Sequence, residues 1–462
     1  MNKKDNVKGK TTALIITAMS AFLTPLSLAT VNVALPTIGA EFSMDAISLS
    51  WVAMAYIVAA AVFLVPFGRL ADIYGMKRIF LIGTCVFTIS SFLMGITNTA
   101  RILIIYRVVQ GIGAAMLFGT GVAILSHVFP LEDRGKVLGI NVAAVYLGLS
   151  FGPFIGGILT QHLGWRSIFF LNVPLGLIII AATAWKLKGE WADARGEKFD
   201  IAGSLIYAIM LLFIMYGFSH LTSFQGIAII ITGFAGVALF VFLENRTTFP
   251  VIDIKLFKGN RAFLLSNIAA LINYCATFAV GFLLSLYLQY IKGYSPQVAG
   301  FILISQPIVM AVFSPVAGKI SDKVEPRIVA SIGMALSALG LFMFVFITDI
   351  TPLWFIITGL LILGFGFAFF SSPNVNAIMS SVERKFYGTA SSVLATMRLL
   401  GQTFSMSIVM LIFLLYIGKV EISPDHYPYF LKSVRIAFIF FGVLCVAGVF
   451  ASLSRGNLHG NA

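Results

Sequence analysis

The sequence predicts an all-α integral membrane protein of fourteen helices, with two six-helix bundles and an inserted helical pair. Three observations predict this fold: the share of apolar residues, the length of the apolar runs and an internal repeat. Of the 462 residues, 59% are hydrophobic and 11% are charged, whereas a soluble domain carries about 25% charged residues. No soluble fold could bury this much apolar surface, so the expected solvent is a lipid bilayer.

The apolar runs are each long enough to cross the hydrocarbon core, which needs roughly 17–25 helical residues. They predict spans at about 12–35, 47–68, 79–98, 102–126, 137–159, 167–186, 201–219, 226–243, 262–288, 297–316, 328–348, 352–372, 388–417 and 433–453.

An internal repeat divides the chain. A Gly-x-x-x-Asp segment at Gly68–Asp72 recurs roughly 250 positions later at Gly318–Asp322, each time after an apolar run that contains a proline. Six spans with short loops need fewer residues than this offset, so the excess predicts a helical pair inserted between two homologous halves. The predicted domains are a first bundle at 1–186, connectors with helices 7 and 8 at 187–261, and a second bundle at 262–462.

The basic residues predict the topology. The net charge is +13, and the Lys and Arg residues are scattered over short loops, which is not the single patch that nucleic-acid binding requires. The loops on the side of the termini carry roughly four times as many as the opposite loops. We therefore expect a multi-pass protein of the cell membrane with both termini in the cytoplasm.

The loop between spans 2 and 3 predicts a cytoplasmic gate. Glycines allow a tight turn there, and Asp72 at a helix terminus can pair with a cation across the cytoplasmic face. An ion pair that forms in one conformation and breaks in another would act as a latch. The candidate gate residues are Gly68, Asp72, Gly75, Lys77, Arg78, Arg134, Gly318 and Asp322.

Two further motifs lie inside spans. Arg107, with Gln110 one turn later, falls within hydrocarbon depth, where a guanidinium is tolerated if it faces a cavity or a partner. Span 5 carries glycines every four residues, which favour close helix packing, and Pro153, which bends the helix. The residues of this second motif are Gly148, Gly152, Pro153, Gly156 and Gly157.

Together these motifs resemble the major facilitator superfamily, and the chain is similar to its fourteen-span drug:proton antiporter branch along nearly its whole length. Three segments carry the resemblance to the branch: Val-Asn-Val-Ala-Leu-Pro at Val31–Pro36, the segment Gly164–Gly176, which begins Gly-Trp-Arg and contains Asn172, and Tyr-Leu-Gln at Tyr287–Gln289. The resemblance implies a functional monomer that exports hydrophobic or amphipathic small molecules by alternating access, driven by protons, with Asp72 and Arg134 as latch partners. The cavity and coupling residues would be Ser27, Asn32, Arg107, Gln110, Asn273, Gln306, Asn374, Arg398 and Gln402.

One position departs from the branch. Ser27 stands where the branch usually carries an aspartate in span 1, and all 18 acidic residues fall in loops, in tails or at span ends. Proton coupling and cation recognition ordinarily use a buried carboxylate. The alternative is therefore a dedicated exporter or uniporter of an anionic or neutral metabolite. If coupling occurs, we expect Asp72, Asp200, Glu41 or Asp45 to serve, or the substrate to carry the proton.

Enzymatic and cofactor-dependent functions are not favoured. The five histidines are dispersed, the three cysteines lie singly in different apolar runs, and no phosphate-binding loop motif is present. We expect no cofactor and no metal, and a membrane-embedded enzyme is only a remote alternative.

Overall fold

The computed structural model describes residues 3–218, 224–247, 257, 259–383 and 387–456. Every regular element in these ranges is helical, and fourteen stretches are long and apolar enough to cross a membrane. The prediction of an all-α membrane fold with fourteen spans is confirmed, including the inserted pair. The predicted connector between helix 8 and the second bundle includes residues 248–256 and 258, which lie outside the described residues.

The helices follow the apolar runs closely. Several extend past the predicted span ends because polar residues there continue the helix, and some spans are divided into two helices. The helices are α1 (Lys3–Phe42), α2 (Ala46–Tyr74), α3 (Met76–Gly95), α4 (Ala100–Val128), α5 (Leu131–Leu163), α6 (Arg166–Lys186), α7 (Ile201–Phe218), α8 (Phe224–Glu244), α9 (Arg261–Thr277), α10 (Ala279–Leu286), α11 (Pro296–Leu303), α12 (Ser305–Ser321), α13 (Pro326–Met343), α14 (Leu353–Ser380), α15 (Tyr387–Tyr416) and α16 (Tyr427–Leu453).

Two compact units divide these helices. Unit 1 comprises Met1–Leu28, Val52–Leu149 and Leu163–Ile254, and unit 2 comprises Ala29–Trp51, Ser150–His162 and Lys255–Ala462. Three helices, α1, α2 and α5, therefore contribute residues to both units. The predicted domain boundaries near 186 and 261 follow the chain, and they stay a prediction.

Glycine pairs mark one close helix contact in each unit. In unit 1 a Cβ on Gly113 of α4 would lie 2.9 Å from the carbonyl oxygen of Gly83 in α3. In unit 2 a Cβ on Gly366 of α14 would lie 2.9 Å from the carbonyl oxygen of Gly333 in α13. Such distances leave no space for a side chain, so each unit packs one helix pair backbone to backbone.

The inserted pair belongs to unit 1. Helices α7 and α8 pack through glycines, since a Cβ on Gly233 would lie 2.9 Å from the Ile214 nitrogen. The buried Tyr207 of α7 donates its hydroxyl hydrogen to the carbonyl oxygen of Ala61 in α2 at 3.2 Å. This hydrogen bond connects the inserted pair with α2.

We expect Gly113→Ala to lower the free energy of unfolding by about 1–3 kcal/mol, because the added methyl overpacks the α3–α4 contact. Gly121→Ala in the same helix is the matched control, since no atom lies within 4 Å of its new Cβ. Thermal unfolding of the purified protein in detergent measures both. Equal melting temperatures for the two variants would contradict this account of the packing.

Candidate functional site

A buried arginine organises the polar core of unit 1. Arg107 in α4 is fully buried, and its Nε donates to the carbonyl oxygen of Val52 at 2.9 Å. Its Nη1 donates to Oε1 of Gln110 at 2.6 Å, and its guanidinium carbon lies 4.6 Å from the centre of the Tyr56 ring. These contacts spread the charge over a carbonyl, an amide and an aromatic face, which makes the buried cation tolerable.

Ser27 receives two amide hydrogen bonds from different helices. Nε2 of Gln110 donates to Oγ of Ser27 at 3.1 Å and to Oγ of Ser91 at 2.8 Å. Nδ2 of Asn172 in α6 also donates to Oγ of Ser27 at 3.1 Å. Two amide N–H groups aimed at one oxygen would suit a carboxylate equally well. The structure therefore has a serine hydroxyl where two donors converge.

We call the set of Ser27, Ser91, Arg107, Gln110 and Asn172 the serine–arginine network. Among the described residues, its side-chain hydrogen bonds involve hydroxyl, amide and guanidinium groups and main-chain carbonyls, without a carboxylate. Ser27, Arg107 and Gln110 were predicted as site residues. Asn172 and Ser91 were not, because nothing in their local sequence shows that α6 and α3 turn them toward Ser27. The place of Asn172 in a family-like segment is the one signal that could have indicated it.

The predicted cavity residues of unit 2 have varied surroundings. The guanidinium carbon of Arg398 lies 5.1 Å from the centre of the Tyr274 ring. Asn273 is fully buried, and neither atom of its amide has a hydrogen-bond partner among the described residues. Gln306 and Gln402 are half-buried. Asn273, in the second half of α9, is therefore a buried amide whose hydrogen-bonding groups are unsatisfied among the described residues.

Asn374 is held by a buried cation at the end of α16. Its Oδ1 accepts from Nη1 of Arg455 at 2.8 Å, and its Nδ2 donates to the carbonyl oxygen of Ser266 at 3.2 Å. Arg455 is 2% exposed and also donates to the hydroxyls of Ser266 and Ser452. Burial lowers the pKa of Arg455 to about 10, so the group stays charged at neutral pH. This cluster connects α9, α14 and the end of α16.

The glycines of α5 pack against two neighbouring helices, α1 and α11. A Cβ on Gly148 would lie 2.3 Å from the carbonyl oxygen of Phe22 in α1, and Gly152 and Gly156 meet Ala29 and Thr30 of the same helix just as closely. On another face, a Cβ on Gly157 would lie 2.6 Å from the carbonyl oxygen of Pro296. The predicted close-packing role of this motif therefore has two partners, α1 and the start of α11. Pro153 also lies against α11, where a Cβ on Gly300 would come within 2.2 Å of its carbonyl oxygen.

A proline in α1 creates a second polar contact in unit 2. Pro36 has no N–H, so the carbonyl oxygen of Asn32 loses its helical hydrogen bond. Oγ of Ser285 donates to that oxygen at 2.7 Å, and Nε2 of Gln289 donates to the carbonyl oxygen of Val33 at 2.9 Å. We call these contacts the α1–α10 seam. They connect the two family-like segments Val31–Pro36 and Tyr287–Gln289.

The predicted gate residues Asp72 and Arg134 are not paired in this structure. Nε of Arg134 donates to the carbonyl oxygen of Phe129 at 3.2 Å, and among the described residues no hydrogen bond or ion pair joins it to Asp72. Gly75 has a φ of 116°, which glycine adopts without strain, and ends α2 in a tight turn. The proposed latch between the two side chains stays a prediction.

The second copy of the motif has different partners. Oδ1 of Asp322 accepts from Nδ2 of Asn376 in α14 at 3.1 Å. A Cβ on Gly318 would lie 2.8 Å from the hydroxyl of Ser372 in the same helix. The two halves therefore share the sequence motif but not the hydrogen bonds around it.

Comparison with known proteins decides the family. The family model described as Major Facilitator Superfamily matches residues 17–243 and 267–458. This chain belongs to the major facilitator superfamily. Its relatives include multidrug resistance and antibiotic export proteins, in agreement with the resemblance to the fourteen-span drug:proton antiporter branch. It is a transporter family, so the prediction that the protein is not an enzyme is confirmed.

Two curated relatives illustrate the range of names. The chain is 34% identical over 395 residues to the riboflavin transporter RibZ of Clostridioides difficile, covering 85% of this chain and 86% of that protein. It is 31% identical over 403 residues to the multidrug resistance protein Stp of Mycobacterium tuberculosis, covering 86% of this chain and 74% of that protein.

Solved structures support the same fold. A bacterial homolog of the human lysosomal transporter Spinster matches with a TM-score of 0.69, at 15% identity and 98% coverage of both chains. A D-xylose–proton symporter matches with a TM-score of 0.68 at 13% identity, covering 98% of this chain and 99% of that chain. At such identities the likeness concerns the fold alone.

We expect Ser285→Ala to lower the free energy of unfolding by about 1–3 kcal/mol, because it leaves the carbonyl oxygen of Asn32 without a donor. Ser314→Ala is the matched control: this hydroxyl is buried, yet it has no hydrogen-bond partner among the described residues. Thermal unfolding in detergent compares the two. If Ser314→Ala were as unstable as Ser285→Ala, the hydrogen bond of the α1–α10 seam would make no specific contribution to stability.

Proposed function

We propose that this protein is a secondary transporter that carries neutral or anionic aromatic small molecules across the cell membrane by alternating access. The observation that carries the proposal is the serine–arginine network, in which Ser27 receives two amide donors. By the family resemblance, this is the position where the antiporter branch usually has an aspartate. Without a carboxylate, this network offers a cationic substrate no opposite charge.

The charge of Arg107 supports the same choice of substrate. Two unit charges about 7 Å apart repel by roughly 2 kcal/mol at an effective dielectric constant of about 20, which is a factor of about thirty in binding. Arg107 is fully buried and lies among neutral groups, so no neighbouring anion offsets this repulsion within the network. A neutral or negatively charged molecule avoids this penalty.

The relatives support an aromatic substrate that can form hydrogen bonds. RibZ is named a riboflavin transporter, and riboflavin is an uncharged heterocycle with ring carbonyls, a ring N–H and a hydroxylated side chain. Amide and hydroxyl side chains such as Gln110, Asn172 and Ser27 complement such groups. Riboflavin is therefore the first compound to test, as a representative of its chemical class.

Alternating access fits the repeated architecture. Transporters with internal repeats move one bundle against the other around a central site, and the matched glycine pairs Gly83–Gly113 and Gly333–Gly366 give each half the same internal packing. We further propose that the protein acts as a monomer in the plasma membrane with cytoplasmic termini, in line with the excess of Lys and Arg in the loops on that side.

A second candidate function is proton-driven export of several hydrophobic drugs. The name of Stp and the close packing of the α5 glycines against α1 favour it. Coupling would then use a carboxylate away from the network, and Asp72, Asp200, Glu41 and Asp45 are the candidates. The two functions differ in the charge of the preferred substrate and in the response to a pH gradient.

Transport assays on proteoliposomes separate the two functions. We expect uptake of riboflavin or of an amphipathic carboxylic acid, and no uptake of a lipophilic cation, because the network lacks a negative charge. Each compound is measured with and without an imposed pH gradient and a protonophore. Gradient-driven cation uptake that the protonophore abolishes would replace the proposed function by the second candidate.

We expect Ser27→Asp to shift the preference toward cations. The new carboxylate would accept hydrogen bonds from Gln110 and Asn172 and would offset the charge of Arg107. We predict at least a ten-fold rise in the cation-to-acid uptake ratio, the scale of a change of about 1.4 kcal/mol. Ser27→Asn is the matched control, since asparagine is similar in size to aspartate and carries no charge. An unchanged uptake ratio in Ser27→Asp would show that this network does not select the substrate by charge.

A further inference from the structure

The connector between α6 and α7 lies along the turn between α2 and α3. We call its residues Leu187–Asp200 the strap. Two main-chain hydrogen bonds hold it: Met76 N–H donates to the carbonyl oxygen of Trp191, and Ala194 N–H donates to that of Asp72, both at 2.9 Å. Leu187 and Ala194 are buried. The strap is therefore a docked segment of unit 1 and not a solvated linker.

Two acidic side chains of the strap bind near the α2–α3 turn, one at the start of α3 and one at Arg69 in α2. Oε1 of Glu190 accepts from the main-chain N–H of Lys77 at 2.8 Å, at the N-terminal end of α3, where a negative charge is favourable. Glu197 forms an ion pair with Arg69. The ammonium of Lys77 donates to the carbonyl oxygen of Leu187 at 2.6 Å. The strap thus occupies both cations, which are then not available to other partners.

A histidine forms the third side-chain attachment. Nε2 of His127, in the last turn of α4, lies 2.7 Å from Oδ1 of Asp193, and its Nδ1 lies 2.9 Å from the carbonyl oxygen of Ala123. Both neighbours are hydrogen-bond acceptors, whereas a neutral imidazole has only one N–H to donate. Both bonds form together only when His127 is protonated.

Other charges surround this histidine. Asp72 interacts electrostatically with His127. The other charged groups that act on Asp72 are Arg69, Asp193 and Glu197. Two further cations approach Phe129, at the end of the same helix. The ammonium of Lys10 in α1 lies 5.9 Å from the centre of its ring, and Arg134 of α5 donates to its carbonyl oxygen.

We propose that the strap is a proton-sensitive switch on the α2–α3 turn. Protonated His127 holds Asp193 and keeps the strap docked, and loss of the proton removes one hydrogen bond and the ionic attraction. Histidine is the side chain that ordinarily changes charge between pH 5 and 8, so docking is favoured at low pH and weakens as pH rises. Release frees Lys77 of the predicted gate, and also Arg69 beside it, for other partners. The effect on a gate rests on the proposed function, whereas docking itself does not.

Hydrogen–deuterium exchange of the full-length protein in lipid nanodiscs tests the proposal without any substrate. The amides to follow are those of Met76, Lys77 and Ala194, at pH values from 5.5 to 8 with correction for intrinsic exchange. The side chains of His127 and Asp193 are 27% and 63% exposed, which limits their ion pair to a modest contribution. We expect protection to fall roughly two- to five-fold as pH rises.

Three variants make the result decisive. His127→Arg keeps a positive charge at every pH and should remain protected throughout, whereas His127→Gln should show the weaker protection throughout. His426→Gln is the matched control, because His426 lies in unit 2 and contacts Ser423; it should titrate like the native protein. Unchanged exchange in α13 and α14 shows that each variant is folded.

The opposite results are equally clear. Protection that does not change with pH in the native protein would overturn the proposal. So would the same pH dependence in His127→Gln as in the native protein, because another group would then control docking. Gradient-driven cation uptake in the proteoliposome assay would refute the proposed function and leave the exchange result intact.

Discussion

The interior of a bilayer supplies no water to hydrogen-bond a polar group, and the polar contacts of this protein follow from that constraint. Where Pro36 frees the main-chain carbonyl of Asn32 in α1, Ser285 of α10 supplies a donor, and Gln289 donates to the next carbonyl, that of Val33. Where Arg107 places a charge at depth, a carbonyl, an amide and an aromatic ring surround it. These two groups have their partners on other helices, and such contacts help to determine which helices meet.

The same constraint gives the serine–arginine network its chemical character. Its groups are neutral apart from Arg107, and they converge on a hydroxyl at a position where an acid is usual in the branch. A single side-chain difference changes the charge of the whole cluster, because the amides of Gln110 and Asn172 can donate to either group. Under the proposed function, a network of this kind would let substrate preference change while the helices around it stay the same.

The fold was readable from the sequence because apolar runs report span length directly, whatever the tertiary arrangement. The repeat was also visible, since the Gly-x-x-x-Asp segment at Gly68–Asp72 recurs at Gly318–Asp322. The partners of the site residues were not visible. Ser27 and Asn172 are far apart in the chain, and their contact depends on the rotation of α1 and α6 about their axes. Asn374 illustrates the same difficulty: its sequence suggests a cavity, whereas its amide binds Arg455, a residue beyond the last span that hydropathy treats as a loop.

Arg455 also sets a limit on how far the chain can be shortened. A chain ending at Ser454 would still contain all fourteen spans, and a hydropathy plot would judge it complete. It would nevertheless lose the donors on which Ser266, Asn374 and Ser452 depend, and the end of α16 would lose its attachment to α9 and α14. The hydrogen bonds that attach α16 to its neighbours therefore extend beyond its membrane-spanning segment.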